Sequence, residues 1–285
     1  MKTSNPIIKY AKHLLVGLFV LIISFIFLYP QLFSCEFIRF SEFRELQQHV
    51  FVSPDIKSSQ FKKIKKVIQN AEIRIDSFYS GKKSKPDIII CSNPEQYQKY
   101  CNSTEGAGCS LGTPWESSFI ILNMQDLDVN VASHEMSHTE LLKRLGWWKV
   151  TMQVPQWFNE GLALMLDKRF VNNPDKVGQY FDYMDEWLYY TRGGQEILEL
   201  ESISSVKGFF NGNQQYVMLA YMTSGLEVSY WLILAGNNGL LKLISQINQG
   251  DSFTVSYKEV ERMTKFKQLK QLPVNPLRLP DPDKN

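Results

Sequence analysis

"VASHEMSHTE", residues 131–140, places two of the chain's four histidines four positions apart, with a glutamate directly after the first. Residues four apart on a helix differ by about 40° around its axis, so their side chains stack on one face, one turn apart. His134 and His138 can then direct two imidazoles at one metal ion. Glu135 stands about 100° round from His134, beside such an ion but off the ligand axis. From there a carboxylate can hold a water as general base without coordinating the metal, which is the mechanical content of H-E-x-x-H. Three fixed positions also arise by chance, and two helical histidines can be satisfied by core hydrogen bonds. The pattern therefore needs a third ligand.

Neither His13 nor His49 follows the motif, and the metzincin extension would require glycine at Leu141 and histidine at Arg144. A downstream carboxylate is the remaining candidate. "WFNEGLALML", 157–166, carries one ionisable residue, Glu160, in an otherwise apolar run that reads as a buried helix. An ionised carboxylate there is costly unless a positive charge meets it. A bound metal would supply that charge; a buried pair with Arg144 or Lys149 is the structural alternative.

"HEMSH" followed by "WFNEGLA" resembles the gluzincin metallopeptidases, namely the aminopeptidase N family and especially the smaller peptidase-MA-like domains, with their HExxH and W-x-N-E-G-x-A pattern. The resemblance implies one zinc ion on His134, His138 and Glu160, with Glu135 as catalytic base. It also implies an oxyanion-stabilising tyrosine from a Y-x-x-G element. "AYMTSG", 220–225, is similar with one extra residue before the glycine, so Tyr221 is the match and Tyr216 the reserve. "YWLILAGNNGLLKLISQINQGDSF" is similar to the helical tail of peptidase-MA-like domains. The likeness covers roughly residues 55 to 260, with strong motifs only from 134 to 161. The G-x-M-E-N segment that grips a free amino end is missing, "GTPWES" at 112–117 being only a faint echo, so aminopeptidase specificity does not carry over. The strand "SFIILN" before the zinc helix is expected to offer an edge to an extended peptide.

With 31 basic against 29 acidic residues, the chain lacks the basic footprint of a nucleic-acid partner. Residues 14–29, "LLVGLFVLIISFIFLY", hold no charge, and the apolar character resumes at Leu32 and Phe33, enough to cross a bilayer. Lys2, Lys9 and Lys12 precede this segment, whereas Glu36, Glu42 and Glu45 outweigh Arg39 and Arg44 after it, which keeps the N-terminus cytoplasmic and exports the rest. In a bacterium that is an inner-membrane protein facing the periplasm. A retained anchor is preferred over lipoprotein cleavage at "LFSC", 32–35, or simple secretion. Outside the cytoplasm one local disulfide becomes available, Cys91–Cys101 or Cys101–Cys109.

Along the chain, 36–52 reads as a short connecting helix, and Phe61, Ile64, Val67, Ile68, Ala71, Ile75 and Phe78 form one helical stripe opposite a solvated lysine face. "IIIC", 88–91, and "SFIILN", 118–123, read as strands. They flank a short helix opened by Asn93 and Pro94 and a glycine-bearing loop at 104–114. From 129 to about 250 the pattern is helical. Within it, 216–236 is long enough for a second span, but Thr223, Ser224, Glu227 and Ser229 favour burial in protein.

The expected fold is α+β and zincin-like, with a small strand-bearing N-terminal lobe and a mainly helical C-terminal lobe after a transmembrane helix. The expected organisation is a cytoplasmic N-terminus (1–13), anchor (14–33), linker (34–54), zinc metallopeptidase domain (55–265) and flexible tail (266–285). The expected activity is hydrolysis of a peptide or protein substrate. The rival is a membrane-tethered binding or assembly protein that keeps a zincin fold without catalysis, which a groove filled by the 142–156 segment would favour.

Overall fold

The computed structural model describes residues 6–104 and 106–268. Residues 1–5 of the expected cytoplasmic segment and the proline-rich tail from 269 onward lie outside the described residues.

The chain opens with α1 (Pro6–Leu28) and α2 (Pro30–Glu36), then β1 (Arg44–Gln47), β2 (Val50–Val52), α3 (Phe61–Tyr79), β3 (Asp87–Cys91), α4 (Pro94–Cys101), β4 (Gly108–Gly112) and β5 (Ser118–Asn123). Helices follow: α5 (Val129–Leu145), α6 (Trp147–Met152), α7 (Gln156–Leu164), α8 (Lys176–Tyr190), α9 (Val206–Phe210), α10 (Gln214–Gln249) and α11 (Phe253–Gln268). The class is α+β, as the sequence patterns indicate: the five strands are interleaved with helices up to Asn123, and the described elements after them are helices alone.

One five-stranded sheet in the order β1-β2-β3-β5-β4 organises the first half. β2, β3 and β5 run parallel, and antiparallel β1 and β4 form the two edges. The apolar runs of β3 and β5 suit central strands covered on both faces. Alternation sends Ile88, Ile90, Ile120 and Leu122 to the side of α3 and α5. Ile89, Cys91, Phe119 and Ile121 join Cys35, Ile38, Tyr97 and Tyr100 on the opposite side.

The expected stripe on α3 buries Ile64, Val67, Ile68, Ala71 and Ile75, and Lys62, Lys63, Lys65 and Lys66 are exposed. Asn93 caps α4, its side chain accepting the Gln96 N–H at 2.9 Å. Three readings need correction. The segment 36–52 is not a connecting helix: after Ile38–Phe40 it forms β1 and β2, and Cys35, Ile38 and Phe43 are buried in the core. So the stretch 34–54 belongs to the domain rather than linking to it. The glycine-bearing loop contains β4, paired from Gly108↔Leu122 to Gly112↔Ser118. The strand 118–123 is consequently flanked on both sides, and the open edge on that side is β4.

α10 is apolar enough to span a bilayer, yet 78% of its most apolar window is buried in the fold. Its polar residues Thr223, Ser224, Glu227 and Ser229 are buried with it, Glu227 accepting from the Tyr257 hydroxyl at 2.7 Å. α7 packs against α10 at Gly161, where an added Cβ would stand 2.4 Å from Val228 Cγ2 and 2.7 Å from the Ser224 carbonyl oxygen. Since that oxygen is backbone, Gly161→Ala should force the helices apart and destabilise the fold by about 1–3 kcal/mol. Calorimetry should show Tm falling by about 2–4 °C per kcal/mol; an unchanged Tm would mean that the contact is not tight.

Candidate metal centre

α5 is held rigidly before it presents anything. The Asp128 carboxylate caps it, accepting the Val131 N–H at 2.8 Å. On its rear, Ser137 Oγ and the Tyr79 hydroxyl lie 2.9 Å apart. Glu140, fully buried, accepts from Arg144 Nε at 2.7 Å and from the backbone N–H groups of Lys83 and Ser84. These ties leave the face with His134, Glu135 and His138 turned toward α7 and a groove.

α7 brings Glu160 onto that face. Its Oε2 lies 3.3 Å from His134 Nε2 and 3.6 Å from His138 Nε2, and the side chains are largely buried. The three residues can each direct one atom to a common point, with those atoms within 4.8 Å of one another. The structural alternative for Glu160 is not realised: Arg144 is bound to Glu140, and Lys149 Nζ donates to Asn248 Oδ1.

A further ring of partners orients the ligands. His138 Nδ1 is 2.9 Å from Asn159 Oδ1, a contact in which the ring donates from Nδ1 and its Nε2 lone pair is free to face Glu160. His134 Nδ1 lies 3.5 Å from Asp167 Oδ2, at the outer limit of hydrogen bonding, so the pull there is chiefly electrostatic. Asp167 is fully buried and held by Arg169 through Nε and Nη2. Gln156 Nε2 donates to Glu160 Oε1 at 2.7 Å. Glu160 Oε2 itself is buried without a well-aligned donor, as is His134 Nδ1. An orphaned carboxylate oxygen aimed at two imidazole nitrogens fits a metal ion, and two histidines with one glutamate form a His₂Glu donor set suited to zinc.

The electrostatics agree. Burial disfavours a charged His134, but contact with Asp167 and Glu160 outweighs it and raises its pKa to about 10. Burial likewise opposes the Glu160 carboxylate, and the two histidines more than offset this, so its pKa falls below the usual range. Asp167 is also lowered, with His134 and Arg169 overcoming its burial. The cluster attracts positive charge, and a metal would displace a proton to provide it.

Beside these residues runs a groove of about 1220 Å³, lined by β4 on one wall and by Trp147, Val150 and Pro155 on another. Trp147 thus forms part of a wall and Trp148 is exposed, so the 142–156 segment does not plug the groove. Glu135 lines it too, with its Cγ at 3.0 Å from where a Cβ on Gly108 would stand, so a larger residue there would press on that side chain. Tyr221 reaches the same groove, packed edge-on to Phe209 at 5.1 Å between ring centroids. Burial, then the nearby Glu160 and Glu135, raise its hydroxyl pKa well above the ordinary value, so the group stays a proton donor. Tyr216 donates its hydroxyl to the Gly208 carbonyl at 2.8 Å, a structural engagement. The structure therefore brings His134, Glu135, His138, Glu160 and Tyr221 together. Sequence reasoning missed Asn159, Gln156 and Asp167. The available signal was their place just before, in and just after the apolar run, where polar side chains need partners.

Of the two disulfides that the spacing allows, the structure contains Cys101–Cys109, which ties the end of α4 to the groove strand β4. Cys91 is a buried free thiol.

Compared with known proteins, the chain matches no family model and no curated protein.

Two metal measurements follow. The purified chain should bind about one equivalent of zinc and lose it in Glu160→Ala or His138→Ala; full retention in either variant removes that residue from the ligand set. Asp167→Asn should keep the metal but weaken it about 10–100-fold in chelator competition, whereas wild-type affinity would show that Asp167 only holds Arg169.

Proposed function

We propose that the chain is a zinc metallopeptidase anchored by α1 and acting outside the cytoplasm. The observation that carries this reading is the convergence of His134, His138 and Glu160 on one point in a groove that also contains Glu135 and Tyr221. The likeness of "HEMSH" and "WFNEGLA" to gluzincins supports it.

His134, His138 and Glu160 would hold the ion. When bound, zinc supplies Lewis acidity to the attacking water and the scissile carbonyl. Glu135, adjacent in the groove, accepts a proton from that water and delivers it to the leaving amine. The Tyr221 hydroxyl, kept protonated by burial, donates to the oxygen where negative charge develops. Asn159 and Asp167 hold the imidazoles in position. The free edge of β4 along the groove suits an extended backbone.

The same donor set also serves non-haem iron oxygenases. Glu135 and Tyr221, a base and an acid flanking the ligand cluster, favour hydrolysis. The non-catalytic alternative is disfavoured because the groove is open and Glu135 faces it without ligating.

Anchoring is supported by the exposed, uncharged stretch of α1 from Leu14 onward, where Leu14, Leu15, Val16, Leu18 and Phe19 are all more than half exposed. Cys35 is fully buried, its Sγ directed to the Tyr100 carbonyl, which leaves no room for a lipid on that thiol.

Glu135→Gln is the direct test. It should retain zinc and lose about 10²–10⁴-fold in peptide turnover. Tyr221→Phe should retain zinc and lose about 10²–10³-fold in kcat. Full activity in Glu135→Gln would overturn the mechanism, and iron rather than zinc in the native protein would overturn the class.

A further inference from the structure

α2 is part of the domain, not a hinge. It leaves α1 at 103°, and its Cys35 and the following Ile38 are fully buried against the sheet-facing side of α4. If α1 stands across a bilayer, α2 lies nearly in the bilayer plane. Around this corner the fold exposes aromatic rings: Phe27 81%, Phe37 48%, Phe40 85% and Trp115 54%. Trp115 belongs to the β4–β5 turn, closed by the Thr113 N–H donating to the Ser117 carbonyl at 3.0 Å. It joins the two parts of the molecule, since its Nε1 donates to Glu36 at 2.6 Å and its ring meets Phe25 of α1 edge-on at 5.6 Å. Trp115, an aromatic ring with one polar atom, favours the boundary between lipid and water, and the exposed phenylalanines offer apolar area that the upper acyl region covers.

The same turn ends the groove wall. β4 runs from Gly108, beside Glu135, to Gly112, beside Leu142, and then into the turn carrying Trp115. Gly108 to Gly112 is about 13 Å of strand, and Trp115 lies at most about 10 Å further.

We infer that α2, Phe37, Phe40 and Trp115 seat the domain on the bilayer surface with the Gly112 end of the groove facing lipid, so that the groove takes a membrane-proximal polypeptide. The substrate class is then the juxtamembrane segment of a membrane-embedded or lipid-anchored protein. Glu135 stands about 13–23 Å from the aromatic collar, the reach of about four to seven extended residues, so cleavage falls at that distance from the membrane. The seating rests on α1 spanning a bilayer; the substrate class rests additionally on the peptidase reading.

The test uses the full chain in phosphatidylethanolamine–phosphatidylglycerol vesicles. Cys35 and Cys91 are buried and the other two cysteines are paired, so introduced cysteines can be labelled singly. A nitrobenzoxadiazole label in Phe40→Cys and Glu116→Cys should be quenched by lipids carrying a shallow nitroxide at least about twofold more than one in Gln125→Cys. That last position is exposed beyond the opposite end of β5, about 20 Å away along the strand. Equal quenching at all three positions overturns the seating, as would sole quenching by a second labelled chain.

The second arm presents random decapeptides on a lipid anchor in the same vesicles, or free in solution, with Glu135→Gln as control. Anchored peptides should be cut at least about tenfold faster, four to seven residues from the anchor. Equal rates, or cuts unrelated to distance, overturn the substrate class. Seating without Glu135-dependent cleavage of either library overturns the peptidase reading and its substrate class, and leaves the seating supported by quenching.

Discussion

Glu160 is the constraint around which the second half of the chain is arranged. Its side chain is nearly fully buried and meets no lysine or arginine among the described residues, and one of its oxygens has no aligned donor. Leaving a buried charge uncompensated costs several kcal/mol, a large part of a domain's net stability of about 5–15 kcal/mol. The compensation comes from two imidazoles on another helix, so α5 and α7 must keep their relative position. Gly161 sets the depth of α7 against α10, and the rear ties of α5 set the other side. Glu140, on the same helix as the histidines, gives the contrast. It too is buried and ionisable, but Arg144 and two backbone N–H groups satisfy it completely. One carboxylate is closed as a structural ion pair, and the other is left open toward a groove.

That openness has an electrostatic counterpart. Glu135, Glu160 and Asp167 stand near His134 with Arg169 bound to Asp167, so negative charge exceeds the fixed positive charge there. The raised pKa of His134 and the lowered pKa of Glu160 are two expressions of this excess. A proton can satisfy it only at one imidazole at a time, whereas a divalent ion satisfies both imidazoles and the carboxylate from one point. The donor geometry therefore suits a divalent ion at that point.

How much of this was legible follows from the range of each interaction. His134, Glu135 and His138 could be read because helical spacing is local, and Glu160 because a single charge in an apolar run is a local anomaly. α3, β3 and β5 were legible for the same reason. β1, β2 and β4 were not, because they are three to five residues long and owe their existence to partners far along the chain. Gly108 and Gly112 read as loop residues, and the close approach of α5 side chains to β4 explains them. Asn159 sits inside the quoted motif, yet its contact with His138 depends on how α7 crosses α5. Asp167 lies one residue beyond the apolar run, where it passes for the solvated end of a helix, and burial against His134 reverses that reading.

The fold also separates two jobs along the direction of its strands. α5 starts at the carboxyl end of β5 and runs back, so Val131 and Glu135 lie beside Gly108 at that end, and Leu142 lies beside Gly112 at the other. The amino ends of the parallel strands carry contacts to the N-terminal segment: Arg39, just after α2, reaches Asp87 at 3.2 Å, and Glu36 of α2 accepts from Trp115 in the β4–β5 turn. An all-parallel sheet would keep these ends independent. The antiparallel edge strand joins them, because β4 runs past the ligand cluster and delivers its turn to α1 and α2. The Cys101–Cys109 bond then fixes that strand to α4, on which α2 rests. α2 and the groove wall are thus joined through one continuous set of covalent and packed contacts, from Cys35, packed on α4, through the disulfide to β4.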